Sequence, residues 1–168
     1  NGREETTTMV LIPAVCEAVS IPVIAAGGIA TGKQMLAAMI LGASAVQIGS
    51  RFVASREASS HINFKNAVLN AGEGDTMLSL KQLTPVRLLK NNFFEQVKEA
   101  EADCFSKEDL EKLLGRGRAK KGMFEGDMEE GELEIGQVSS LIKDLKPAVE
   151  IINEIWTEYS DLLRFPQE

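Results

Sequence analysis

Two short runs carry residues suited to holding an anion. Ala26-Gly27-Gly28-Ile29 and Gln47-Ile48-Gly49-Ser50 each close an apolar stretch with glycine. A phosphate needs several backbone N–H donors at close range. Glycine lets the main chain approach without a Cβ and tolerates positive φ. Ser50 adds a hydroxyl donor, and Gln47 an amide that both donates and accepts. A helix start behind such a glycine favours an anion by roughly 0.3–2 kcal/mol. The same glycines would equally serve close strand–helix packing, and that reading stays open beside the anion site.

These runs have to sit on strand ends. Ile21-Pro22-Val23-Ile24-Ala25-Ala26 is short, continuous and apolar, the pattern of a strand buried on both faces in a parallel sheet. Ala43-Ser44-Ala45-Val46-Gln47-Ile48 repeats it. Helical spacing precedes the first strand over residues 6–20, with Thr6, Thr7 or Thr8 as cap, Pro13 near the first turn, and Met9, Leu11, Ile12, Val15, Cys16 and Val19 as the apolar face. Thr31-Gly32-Lys33-Gln34 opens a second helix with Met35, Leu36, Met39 and Ile40 inward and Gly42 as C-terminal stop. Helix, strand, helix, strand with tight connections predicts a parallel α/β pattern, and ligands of such folds bind beyond the carboxyl ends of the strands.

Beyond Ser50 the pattern predicts a helix over 57–71, a strand or extended arm over 76–83, helices over 93–101 and from Ser106 to near Gly115, and a long loop over 115–136. The last helical region, 136–163, is interrupted by Pro147 and reads as two helices or one kinked helix. The cluster Arg116, Arg118, Lys120 and Lys121 falls in that loop and reads as a solvated basic run.

The bulk properties exclude several functions. The 168 residues carry a net charge of −7 with 44% hydrophobic and 26% charged residues, a soluble globular profile. An acidic balance without a basic face argues against nucleic acid and anionic membranes. Cys16 and Cys104 have no metal-like spacing partner, and His61, the sole histidine, cannot build a metal site alone. Cys16 reads as a small core residue. A reducing, cytoplasmic location is expected. No apolar run is long enough to cross a membrane, and the polar start Asn1-Gly2-Arg3-Glu4-Glu5 is no signal peptide. A complete (β/α)8 barrel needs about 250 residues, so the expectation is a piece of one.

Ile21 to Ala30 together with Gly42 to Phe52 closely resembles the nitronate monooxygenases (formerly 2-nitropropane dioxygenases) and the similar enoyl-acyl-carrier-protein reductases II. Thr84-Pro85-Val86-Arg87, Glu125-Gly126-Asp127 with Glu130-Gly131, Gly136-Gln137-Val138 and Gly2-Arg3-Glu4-Glu5-Thr6-Thr7-Thr8 extend the likeness over essentially the whole chain. The resemblance implies the C-terminal half of a flavin mononucleotide (FMN)-binding (β/α)8 TIM barrel. Strands seven and eight would lie at 22–26 and 44–48, with residues 1–75 as barrel and 76–168 as a mainly helical extension.

The same resemblance implies an FMN phosphate held by Gly2, Gly28, Gly49 and Ser50, with Gly27 in the glycine turn and Gln47 and Ile48 in the same segment; the Gln47 amide suits a ribityl chain or a phosphate edge. Ser50 stands where threonine is common and keeps the hydroxyl. The activity implied is oxidation of alkyl nitronates with O2. The alternative is enoyl reduction, for which NAD(P)H would be a second cofactor. No metal is implied. The family's catalytic histidine would fall just before Asn1, so no catalytic residue is assigned within the chain, and His61, past the second strand, does not replace it. A small-molecule substrate, the missing N-terminal barrel half and a homodimer are the expected partners. A flavin- or phosphate-binding piece without catalysis is the reading from another class.

Overall fold

The computed structural model describes residues 6–164. It is a mixed α/β structure in two compact units. One joins Thr6–Ala58 to the C-terminal stretch from Asp144, and the other holds Ser59–Lys143.

The first unit begins with α1 (Thr8–Ala18), β1 (Ile24–Ala26), α2 (Gly32–Ile40), β2 (Ala45–Gln47) and the short α3 (Ser50–Val53). β1 and β2 pair in parallel, with Ala26 opposite Gln47, as the two apolar runs predict, but they are not buried on both faces: only Ala25 of β1 is buried, Ile24 is exposed, and β2 is exposed at Ala45 and Gln47. Their backbone ladder starts one step earlier, where the Ser44 N–H donates to the Val23 carbonyl at 2.8 Å. Ile12, Ala25, Ile29, Ala38 and Ala43 form the core, with Cys16, Met35, Val46 and Ile48 packed against it.

Gly42 follows the end of α2 with φ +106°, a conformation that costs a β-carbon-bearing residue dearly. Its bare Cα also leaves room for Cys16, whose Sγ would lie 3.2 Å from any Cβ there.

Three details differ from expectation. Thr7 occupies the N-cap of α1 without a side-chain hydrogen bond. Pro13 lies in the second turn of that helix, not the first. Met9 and Leu11 on α1, Val19 at its C-cap, and Ile40 on α2 are exposed. Spacing selects an apolar stripe, but which part of it is buried depends on a neighbour the local sequence does not name.

The second unit contains α4 (Ile62–Asn70), the antiparallel pair β3 (Thr76–Ser79) and β4 (Val86–Leu89), α5 (Asn92–Ala102), α6 (Lys107–Leu114), α7 (Arg118–Met123) and a 3-10 turn at Gln137–Leu141. α4 is shorter than the predicted 57–71. Ser106 caps α6 by accepting from the Asp109 N–H at 3.2 Å, as its position before a charged helical run suggests. Leu80, Leu88, Phe93, Phe94 and Val97 make this unit's core.

The expected loop over 115–136 is corrected by α7. Arg118 is not solvated. Its guanidinium lies 4.4 Å over the Phe93 ring and donates to the carbonyls of Leu113 at 3.0 Å, Leu114 at 2.9 Å and Glu130 at 2.9 Å. Lys120 and Lys121 pair with Glu125 at 3.0 Å and Asp127 at 2.9 Å. Tertiary hydrogen bonding and cation–π contact hold a helix that glycine and charge content argued against.

After this, α8 (Ala148–Leu163) returns to the first unit. Pro147 sits at its N-cap, where a missing N–H costs nothing, so the predicted interruption of 136–163 is real, but before Pro147 that region holds only the 3-10 turn and an extended stretch from Ile142. α8 crosses α2 at Gly32. A Cβ there would lie 2.5 Å from the Ile155 carbonyl and 2.7 Å from the Glu158 Cβ.

Candidate functional site

The candidate site lies in the first unit, where β1 and β2 end. Because Ala26 pairs with Gln47, Gly27-Gly28 and Ile48-Gly49 leave the sheet from adjacent parallel strands on the same edge. Gly27 and Gly28 take φ +98° and +73°, so this turn requires glycine. The Thr8 hydroxyl donates to the Gly27 carbonyl at 3.2 Å, fixing the turn from the start of α1. Thr8 is a positioning residue that sequence reasoning treated only as a cap.

Gly49 serves the other strand end. It is the N-cap of α3 and supplies no side-chain cap. Space above it is open, with nothing within 4 Å of where a Cβ would stand, and the same holds at Gly27. At Gly28 a Cβ would meet the Thr8 Oγ1 at 3.7 Å. Two glycine exits therefore border open space, and Ser50 begins α3 beside it. A hydrogen-bonding anion fits this donor set.

α3 is short and needs outside support. Arg51, in its first turn, is buried. Its guanidinium donates to the Asp144 carbonyl at 3.2 Å and pairs with the Asp144 carboxylate. Burial works against charge on Asp144. The Lys146 hydrogen bond and the Arg51 charge outweigh it, holding the carboxyl below its ordinary range. Lys146 continues the chain to Glu154 on α8 at 2.6 Å. Arg51 thus anchors the helix that carries Ser50, a role that a lone arginine after Gly-Ser does not advertise.

Of the predicted site residues, Gly27, Gly28, Gln47, Gly49 and Ser50 gather at this edge. Gln47 is exposed there. The Ile48 side chain turns the other way and packs on the unit's core, so it can offer an anion only backbone. Gly2 lies outside the described residues. His61 belongs to the second unit. It caps α4, its Nδ1 accepting from the Asn63 N–H at 3.1 Å. Among the described residues no group of three or more His, Cys, Asp or Glu could hold a metal ion, and no helix is long and apolar enough to cross a membrane.

A second feature of this unit is apolar. Met35, Val46, Ile48, Phe52, Ile152, Ile155 and Trp156 line an open cleft of about 230 Å³.

The fold is that of a family of α/β oxidoreductases. The nitronate monooxygenase family model matches residues 1–158, and the chain belongs to that family. It is 30% identical to a probable nitronate monooxygenase of Staphylococcus aureus (strain MSSA476) over 159 residues, which is 94% of this chain and 44% of that protein. Among solved structures, FabK from Thermotoga maritima is 40% identical with a TM-score of 0.88, covering 95% of this chain and 51% of that one. A nitroalkane oxidase from Streptomyces ansochromogenes is 30% identical with a TM-score of 0.74, covering 92% and 44%. The chain spans about half the length of the relatives it matches.

Proposed function

We propose that this chain carries the phosphate end of the FMN site of an oxidoreductase that oxidises alkyl nitronates with O2. In this reading β1 and β2 are strands seven and eight of a (β/α)8 barrel, and the stretch from β3 onward is a mainly helical extension. The observation that carries it is the pairing of two glycine exits, Gly27-Gly28 and Gly49, at neighbouring ends of parallel strands. Family membership supplies the chemistry class.

Main-chain N–H groups at the Gly27-Gly28 turn and at Gly49 would receive the phosphate, with the Ser50 hydroxyl as a further donor. Gln47, exposed on the same edge, would meet the ribityl chain. The Arg51–Asp144 pair would keep α3 in place while the anion binds, so little reorganisation is needed at that moment. When bound, FMN supplies the electron transfer that no side chain can provide. The chain's own contribution is grip and orientation. His61 is engaged as a helix cap.

The second reading, NAD(P)H-dependent enoyl-acyl-carrier-protein reduction, is favoured by the 40% identity to FabK, which falls in that reductase class. The deciding experiment uses the intact protein. Nitronate-dependent O2 uptake without NAD(P)H supports the monooxygenase. Enoyl-thioester reduction that requires NAD(P)H supports the reductase. Neither activity, with no flavin absorbance in the purified protein, defeats both. Replacing Gly49 by leucine should expel FMN, and unchanged flavin content would overturn the phosphate assignment.

A further inference from the structure

Gly27 and Gly28 share a peptide that little else holds. Among the described residues, only the Thr8 hydroxyl comes within 4 Å of where a Cβ on either glycine would stand. The chain on each side is fixed. Ala26 pairs with Gln47 in the sheet, Ile29 is buried in the core, and the Ala30 N–H donates to Gln34 Oε1 at 2.8 Å. The freedom of this turn is therefore confined to one peptide.

That peptide has two orientations. Flipping it changes ψ of Gly27 and φ of Gly28 by about half a turn in opposite senses, and glycine tolerates both results. As observed, Gly28 has φ +73°. Flipped, it would return to a negative φ open to every residue type. The observed orientation is thus the one that needs a hold, and the Thr8 hydroxyl supplies it by donating to the Gly27 carbonyl at 3.2 Å. The described peptides are trans, so the C=O and N–H of one peptide point to opposite sides. With the Gly27 carbonyl drawn towards α1, the Gly28 N–H is aimed away from it. Gly28 is exposed, and among the described residues its N–H has no hydrogen-bond acceptor.

We infer that Thr8 sets the sign of charge this edge accepts: its hydroxyl holds the Gly27–Gly28 peptide with the N–H outward, as an anion requires, against the flip that would turn the carbonyl outward. A carbonyl there would repel a phosphate and attract a cation. Thr8 acts on the ligand only through this peptide, as a positioning residue. The inference deepens the phosphate reading above and rests on it.

Gly27-Gly28 is the only Gly-Gly pair in the sequence. Labelling glycine carbonyls with carbon-13 and glycine nitrogens with nitrogen-15 therefore isolates this peptide as a single NMR cross-peak. In the purified protein freed of flavin, the cross-peak should move in Thr8→Val, which keeps the shape and loses the hydroxyl, and return in Thr8→Ser. FMN binding should weaken about tenfold in Thr8→Val and recover in Thr8→Ser. Inorganic phosphate should move the wild-type cross-peak but not that of Thr8→Val. Circular dichroism checks folding, and Thr8→Ala makes the same deletion if valine disturbs the helix start. A cross-peak and an FMN affinity that Thr8→Val leaves unchanged would overturn the inference alone. A wild-type cross-peak that responds to neither FMN nor phosphate would overturn the phosphate reading and this inference with it.

Discussion

The Glu158 carboxylate accepts the Gly32 N–H at 2.6 Å and the Lys33 N–H at 3.3 Å, so the anion at the start of α2 is one of the protein's own. The Thr31 hydroxyl accepts from the Gln34 backbone N–H at 3.2 Å, while the Gln34 side-chain Oε1 accepts from the Ala30 N–H at 2.8 Å. With its first-turn donors engaged, α2 has little left for a cofactor. The Gly49 end, at α3, keeps an open approach. The same contact ties α8 to α2 across more than a hundred residues of sequence.

Substituting Glu158 separates these roles. Glu158→Gln keeps an acceptor and loses the charge, which should cost about 0.3–1 kcal/mol. Glu158→Ala loses both and should cost about 1–2 kcal/mol. Gly32→Ala should be worse than either, at least about 2 kcal/mol, because its Cβ would meet the α8 backbone. Urea unfolding gives all three values. A neutral Gly32→Ala would mean that α8 does not cross where it is described.

Arg51→Met tests whether α3 is held from behind. The variant keeps an apolar stem but leaves Asp144 without its guanidinium partner. Stability should fall by about 1–3 kcal/mol. In the intact protein FMN affinity should fall with it, at least tenfold, although Arg51 makes no contact with the proposed phosphate position. Loss of stability with unchanged flavin affinity would show that α3 does not carry the phosphate grip.

Local rules made much of this legible. The apolar runs ending in glycine located β1 and β2 and the edge between them. Ser106 and Pro147 announced the starts of α6 and α8, since capping and ring geometry act within a few residues. What local rules missed depends on distant partners. α7 forms because Arg118 finds Phe93 and the carbonyls of Leu113, Leu114 and Glu130. Ile40 and Leu11 face outward although their spacing is apolar. Thr8 and Arg51 matter through the Gly27 carbonyl and Asp144, and neither partner is visible from the residue itself.

Gly126 carries a backbone that an alanine cannot adopt cheaply. Its φ is +83°, and a Cβ there would overlap the His61 imidazole. Asn63 donates to the Gly126 carbonyl at 3.1 Å, and the His61 N–H donates to the Met123 carbonyl at 2.8 Å. Gly126→Ala should therefore cost about 2 kcal/mol or more. Adding His61→Ala should return part of that loss, because it removes the clash and leaves the φ penalty. Strictly additive effects in a double-mutant cycle would contradict the contact.

Glu132 should make stability fall as pH rises. It is buried on the stretch whose Leu133 carbonyl accepts from the Leu89 N–H at 2.9 Å and whose Ile135 N–H donates to the Arg87 carbonyl at 3.1 Å. Burial, then the nearby Glu134 charge, push its pKa up to about 7, partly opposed by Arg118. The folded state thus holds this proton more tightly than the unfolded chain does. Its contribution is largest below the unfolded pKa of about 4.5, declines between there and 7, and is constant above. Glu132→Gln keeps the shape and removes the charge. Allowing for solvent screening, it should gain about 1–2 kcal/mol over the parent at pH 8 and nothing at pH 4. Urea unfolding of both proteins across that range checks it, and a difference that is the same at both ends would mean that Glu132 does not titrate in this window.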